Sequence, residues 1–159
     1  MQNEIEINQP VETVFSYIVE SKNTSNYLSK EFQIKPVSTS PSHDGRFSPG
    51  SVVVGQGNFA GTRVRIEYQV VVFEPGRLIK LKAVGGQYES EVYWRLFPLD
   101  TSNCRISLEV NIKPRYDLGG FIGRMINLVV APIINIILNQ SMIRLKNIME
   151  FQAAEALAA

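Results

Sequence analysis

Side chains able to do chemistry are scarce in this sequence, which has one histidine, His43, and one cysteine, Cys104. A histidine-based metal site needs two or three imidazoles, and an intramolecular disulfide needs two thiols. No Gly-x-Ser-x-Gly segment, the turn that presents the nucleophilic serine of many hydrolases, is present. We therefore expect no metal site and no cofactor, a surface position for His43 in a loop, and an inert buried thiol at Cys104.

Two glutamates raise the question of acid–base catalysis. Glu89 and Glu91 alternate along a predicted strand, and two carboxylates on one face can act as general acid and base. The same alternation places Trp94 on the opposite, apolar face, so the glutamates should be solvated. We interpret them, together with Arg63, Arg65 and Glu67, as a cross-strand ladder of charges, and we predict no catalytic residue.

The apolar face of the predicted sheet offers candidates for ligand binding. Tyr68, Tyr88, Ser90 and Trp94 all fall on it by alternation. A ring with a polar tip inside a cavity can grip an apolar ligand and orient one polar group of it. The alternative is that these residues belong to the core and satisfy one another's hydrogen bonds.

The C-terminal segment adds polar and aliphatic candidates. Asn135 and Asn139 are four residues apart and share a helix face, so their amides could contact a ligand or bond locally. Ile133 and Ile137 are expected on the flank that lines the same cavity.

Alternation and turn residues define the elements that would position these side chains. Residues 4–8 alternate as a strand, and Pro10 suits the first turn of a helix whose apolar face is Val11, Val14, Phe15 and Ile18. A short second helix or turn is expected at Tyr27. From residue 32 to residue 113 the period is two, which predicts an antiparallel meander. Its strands are Phe32–Val37, Ser51–Phe59, Thr62–Phe73, Arg77–Val84, Tyr88–Phe97 and Cys104–Lys113.

A long apolar helix is predicted from about Leu118 to near the C-terminus, with a kink at Pro132. The 19 residues from Met125 to Ile143 carry no charge, a length that could just span a bilayer. Asparagine side chains interrupt this stretch, and amides facing lipid are costly, so a buried helix is favoured. We expect it to cover the apolar face of the sheet and to leave a cavity between the two.

Several segments resemble one protein family. The opening Ile5–Ile18 is similar to the first strand and helix of the START/Bet v 1-like (SRPBCC) superfamily, and Gly50–Gly55, Phe73–Leu78 and Tyr93–Leu96 are similar to its later segments. The subgroup it most resembles is the polyketide cyclase/dehydrase and lipid-transport-like proteins. Gln9 departs from the small residue that the family places before the proline.

This resemblance covers about residues 3–152. It implies an α+β, helix-grip fold, in which a curved antiparallel sheet of about seven strands wraps around a long C-terminal helix, with two short helices after the first strand. It also implies a hydrophobic ligand cavity between the sheet and that helix.

Composition sets the remaining limits. The 159 residues, 45% of them hydrophobic, predict a single domain over 1–159. A net charge of +1 argues against a nucleic-acid partner. The polar, acidic N-terminus lacks the features of a signal peptide, which predicts a cytoplasmic protein.

The function favoured by these observations is binding, transport or sensing of a hydrophobic small molecule or lipid. An aromatase/cyclase-type enzyme acting on a polyketide-like substrate is the alternative from the resemblance. A membrane-surface adaptor is a third reading, since the uncharged segment could contact a bilayer transiently, and an apolar helix face could equally form a homodimer.

Overall fold

A computed structural model describes residues 1–28, 32–36, 45–59, 62–85, 88–114 and 131–158. Its first part comprises β1 (Gln2–Ile7), α1 (Val11–Val19), a 3₁₀ turn (Ser21–Asn23) and α2 (Thr24–Tyr27). The strands that follow are β2 (Phe32–Pro36), β3 (Val52–Phe59), β4 (Thr62–Glu74), β5 (Leu78–Ala83), β6 (Tyr88–Pro98) and β7 (Cys104–Pro114), and the last helix is α3 (Ala131–Ala158).

The strands form one antiparallel sheet in the order β1-β7-β6-β5-β4-β3-β2. Strands β2 to β7 are a meander, because each strand pairs with the next one along the chain. The first strand closes the far edge by pairing with β7, so that Ile7 lies opposite Cys104. The predicted α+β, helix-grip fold with short helices after the first strand is confirmed.

Helix α1 begins at Val11, so that Pro10 precedes the first helical turn in which the sequence places it. Pro10 occupies the N-cap position, and its carbonyl oxygen accepts hydrogen bonds from the backbone N–H groups of Thr13 and Val14 at 3.1 and 3.2 Å. The apolar side chains at i, i+3, i+4 and i+7 are buried as predicted. Phe15 packs edge-on against Phe73 of β4 with ring centroids 5.6 Å apart, which holds the helix on the sheet.

A β-bulge in β4 changes the predicted sidedness of that strand. Alternation predicts Val72 on the apolar face, but the register shifts between Val70 and Val72. Val72 therefore pairs with the outward-facing Lys80, and Phe73 pairs with the buried Ile79. A bulge inserts one residue without a partner, and every residue after it changes face; here it brings Phe73 to the core.

Helix α3 packs along β1 and α2. The Lys146 ammonium donates to the Glu6 carbonyl oxygen at 2.9 Å, and the Arg144 guanidinium donates to the Leu28 carbonyl oxygen at 3.4 Å. Its buried stripe is Ile134, Leu138, Met142, Leu145 and Met149. None of the described helices is long and apolar enough to cross a membrane.

The buried face of α3 differs from the expected one. Ile133 is 39% exposed, whereas the adjacent Ile134 is 8% exposed and lies in the core. The cause is that apolar residues occupy every side of this helix, so alternative stripes of similar hydrophobicity compete and contacts with β1 and α2 decide between them. The expected helical turns between 118 and 130 lie outside the described residues.

Candidate ligand-binding site

The sheet face that packs against the three helices, here called the inner face, carries no Asp, Glu, Lys, Arg or His at any strand position that the structure describes. Register assigns the face, because residues paired directly across strands point the same way. The described inner-face side chains of the central strands β4 to β7 are Ile66, Tyr68, Val70, Phe73, Ile79, Leu81, Ala83, Ser90, Val92, Trp94, Leu96, Cys104, Ile106, Leu108, Val110 and Ile112.

Two hydroxyl groups meet on this apolar face. The Tyr68 Oη and the Ser90 Oγ lie 3.0 Å apart in a buried hydrogen bond. Tyr68 pairs with Ala83 of the intervening strand, and the small alanine side chain leaves room for the tyrosine ring to reach across β5 to β6. The side chains of Tyr68 and Ser90 are only 3% and 1% exposed, so the pair forms a polar spot on an otherwise apolar wall.

Burial keeps the Tyr68 hydroxyl protonated. It raises the pKa of Tyr68, and the hydrogen bond with Ser90 opposes that effect only in part. A phenol ordinarily titrates near 10, so Tyr68 is a neutral hydroxyl at physiological pH. It can donate or accept a hydrogen bond, but it supplies no charge.

Trp94 anchors the other half of the inner face. Its ring packs edge-to-face with Tyr27 of α2, with centroids 5.9 Å apart and planes at 85°. Both rings are buried, and the contact fixes α2 over the middle of β6. Sequence reasoning misses the involvement of Tyr27, since a single tyrosine after a polar stretch carries no period that would place it inside.

The inner face is not covered uniformly. Ile79, Leu81, Ile106 and Leu108 are fully buried, whereas Ile66, Val92 and Ile112 keep partial exposure although their side chains point inward. These three, called the open rim below, surround the hydroxyl pair. Ile112 lies directly opposite Ser90, and Val92 is two residues along the same strand.

The predicted site residues separate into two groups. Tyr68 and Ser90 are brought together by their hydrogen bond, Trp94 lies on the same face four residues along β6 from Ser90, and Tyr88 is in β6 with its side chain outside the described part. Ile133 and Asn135 are exposed on α3, and Ile137 is partly exposed. The Asn135 Oδ1 accepts a hydrogen bond from the Asn3 Nδ2 of β1 at 3.0 Å, so this amide bonds to a distant part of the chain rather than locally.

Charged groups occupy the opposite, outer face. The Lys80 ammonium lies 2.9 Å from Glu91, and the Arg95 guanidinium lies 2.6 Å from Glu109. The Tyr93 hydroxyl and Lys80 lower the pKa of Glu91 by hydrogen bonding to its carboxylate, and Arg95 does the same to Glu109. A general acid needs a raised pKa, so these carboxylates are suited to structural pairing rather than proton donation.

The remaining chemical candidates do not form a site. Cys104 is fully buried, and burial raises the pKa of its thiol to about 11, with a contribution from Glu12. A protonated, buried thiol is a poor nucleophile. His43 lies outside the described residues. Within the described ranges, no three His, Cys, Asp or Glu side chains come together to hold a metal ion.

A groove of about 500 Å³ lies on the surface between the start of α1 and the β4–β5 turn. Its walls include Glu12, Glu74, Arg77 and Arg95, and Arg95 is already paired with Glu109. Its walls also include apolar residues such as Val11, Leu78 and Phe97, but the groove is open to solvent. An open groove does not enclose a small molecule as typical sites do, and the inner face around Tyr68 and Ser90 is the better candidate.

Comparison with solved structures agrees with the fold. The chain is similar to TTHA0849 from Thermus thermophilus (TM-score 0.72, 15% identity, 92% of this chain and 94% of that one). It is also similar to a START superfamily protein from Mycobacterium smegmatis (TM-score 0.67, 15% identity, 96% and 97%). It is similar as well to the di-domain ARO/CYC StfQ from the steffimycin biosynthetic pathway (TM-score 0.65, 12% identity). That match covers 97% of this chain and 46% of the longer StfQ chain.

Sequence comparison identifies the family. A search of curated proteins found no significant match. The model of the family described as polyketide cyclase / dehydrase and lipid transport matches residues 1–150, nearly the whole chain. This match shows that the chain belongs to the polyketide cyclase / dehydrase and lipid transport family.

Proposed function

We propose that this protein binds a hydrophobic small molecule or lipid on the inner face of its sheet, as a carrier or sensor without catalytic activity. The observation that supports this most strongly is the open rim, where Ile66, Val92 and Ile112 point inward yet remain partly exposed. Inward-facing aliphatic groups that keep partial exposure gain free energy when an apolar ligand covers them.

The energetics are sufficient for useful affinity. Burying apolar surface contributes about 25 cal/mol per Å². A few hundred Å² therefore supports roughly micromolar binding after the costs of association are subtracted. The hydroxyls of Tyr68 and Ser90 would orient the ligand, and Trp94 with Tyr27 would form the packed floor beside it.

Native mass spectrometry followed by organic extraction tests the proposal directly. We expect the purified protein to carry, or to take up from a panel of apolar molecules, a ligand whose removal lowers the melting temperature. Trp94 is the single tryptophan, so its fluorescence gives an independent titration from the core of the protein.

A blocking variant provides the matched comparison. Val92→Trp places a large side chain within the open rim itself and should abolish uptake. Val71→Trp adds the same side chain at an outward position that is 44% exposed and should leave uptake unchanged. Equal binding by both variants, or no binding by the unmodified protein across the panel, contradicts the proposal.

An aromatase/cyclase-type enzyme is the second candidate. It is supported by the likeness to StfQ and by the neutral Tyr68–Ser90 hydroxyl pair, which could polarise a substrate carbonyl. It ranks second because the described inner face carries no ionisable side chain that titrates near neutral pH. Turnover of a poly-carbonyl substrate that is lost in Tyr68→Phe would favour the enzyme over the carrier.

Helix α3 is the candidate surface for a partner other than the small molecule. Ile133, Ile136 and Ile143 are 39%, 58% and 45% exposed, which is an apolar stripe available to a transient membrane contact or to a homodimer. We propose a cytoplasmic location for this carrier or sensor. Flotation with liposomes and sedimentation velocity separate the two uses of the stripe, and cell fractionation tests the location.

A further inference from the structure

We infer that the ligand of the inner face is an uncharged, mostly apolar molecule with one hydrogen-bond-accepting oxygen, such as a ketone, ester or ether, held by the Tyr68–Ser90 pair. This inference rests on the proposed function and names the chemical class of its ligand. Carboxylates, phosphates and ammonium groups are excluded from the part of the site that these residues form.

The first observation is the absence of counter-charge. Among the described residues, no inner-face strand position carries an ionisable side chain other than tyrosine or cysteine, and the ion pairs of β5, β6 and β7 lie on the outer face. The described part of helix α3 adds only apolar residues and Ser141 to the core, and the Ser141 hydroxyl already donates to the Ile137 carbonyl oxygen at 2.8 Å. Among these described residues a charged ligand group buried here would find no counter-charge, which is strongly unfavourable.

The second observation is the hydrogen-bonding capacity of the pair. Tyr68 and Ser90 each have one donor, and their mutual bond uses one of the two. Within the part of the chain that the structure describes, neither hydroxyl makes another hydrogen bond. One donor is therefore left for an accepting oxygen of a ligand, whichever hydroxyl supplies it.

The third observation is the position of the open rim next to Ser90. Val92 and Ile112 of the open rim flank Ser90 along its own strand and across to β7. On one sheet face, such neighbours lie about 5–7 Å apart. An apolar body resting on the open rim thus brings a single oxygen within reach of the spare donor.

Calorimetric titration with two matched series of probes tests this inference. One series is 2-acetylnaphthalene, 2-ethylnaphthalene and 2-naphthoate, and the other is 2-nonanone, nonane and nonanoate. We expect each ketone to bind about fivefold more tightly than its hydrocarbon, because of one additional hydrogen bond. The ketone should bind at least about tenfold more tightly than the carboxylate, because the charge of a buried carboxylate would have no counter-charge among the described residues.

Variants assign the preference to the pair. The double variant Tyr68→Phe/Ser90→Ala should reduce the ketone-to-hydrocarbon ratio towards one while leaving hydrocarbon affinity nearly unchanged, because each single variant still leaves one hydroxyl with a free donor. Tyr93→Phe is the control, since it removes a tyrosine hydroxyl that donates to Glu91 on the outer face, and the ratio should persist in it.

The outcomes distinguish the two proposals. Hydrocarbons that bind as tightly as ketones, carboxylates that bind as tightly as ketones, or a ratio that survives the double variant Tyr68→Phe/Ser90→Ala overturn the inference and leave the binding function standing. If no member of either series binds, the proposed binding function itself fails, and the inference fails with it.

Discussion

Among single residues, Arg95 and Glu109 form the shortest ion pair in the described part of the chain. The guanidinium nitrogen of Arg95 and the carboxylate oxygen of Glu109 are 2.6 Å apart. Arg95, and then Asn111, hold the pKa of Glu109 below its ordinary value of 4.5. A carboxyl with a lowered pKa in the folded state stabilises the fold fully above its unfolded-state pKa and loses that contribution as pH falls through the folded value. We expect the free energy of unfolding to fall as pH is lowered below about 4.5, and to fall less steeply in Glu109→Gln.

Urea unfolding followed by Trp94 fluorescence between acidic and neutral pH measures this dependence. At neutral pH, a double-mutant cycle with Arg95→Gln and Glu109→Gln should give a coupling of about 1 kcal/mol or less, because both side chains keep contact with water. The pair of Arg65 and Glu67 is the comparison. Its side chains are 61% and 52% exposed, and its coupling should be smaller. An unchanged pH slope in Glu109→Gln contradicts the prediction.

At the scale of elements, the strands of the sheet can be predicted closely from the sequence. The face of α3 that is buried cannot. Strands β6 and β7 alternate between polar and apolar residues, so parity alone places Ser90 and Trp94 inside. The run Val70–Phe73 is apolar at every position, so nothing in its pattern reveals the bulge that turns Phe73 inward. The bond between Tyr68 and Ser90 needs the register of three strands, which single-strand parity does not supply.

Two adjacent isoleucines test the face that α3 buries. Ile134 is 8% exposed and Ile133 is 39% exposed, and the two have the same side chain on the same helical turn. Ile134→Ala should therefore lower the free energy of unfolding by about 2 kcal/mol, because it leaves a cavity in the core. Ile133→Ala should cost less than about 1 kcal/mol, as surface substitutions do. Thermal or urea unfolding of the two variants measures both, and the reverse order of costs would support the face expected from the sequence.

At the scale of the whole molecule, the two ends of the chain depend on each other. Strand β1 pairs with β7, and α3 docks on β1 through the bond from Lys146 to the Glu6 carbonyl oxygen and the bond from the Asn8 N–H to the Glu150 carboxylate at 3.1 Å. The apolar inner face is thus closed by the element that comes last in the sequence.

A chain truncated after residue 130 should therefore fail to form a packed core. It loses Ile134, Leu138, Met142, Leu145 and Met149, the buried stripe that covers the sheet, and an uncovered apolar face favours a loosely packed state that binds hydrophobic dyes. We expect strong 8-anilinonaphthalene-1-sulfonate fluorescence and no cooperative thermal transition. Truncation after residue 152 is the control, because it keeps every one of these residues and Glu150, and it should unfold cooperatively. A cooperative transition in the shorter chain would show that the sheet is stable alone and that α3 serves the ligand rather than the fold.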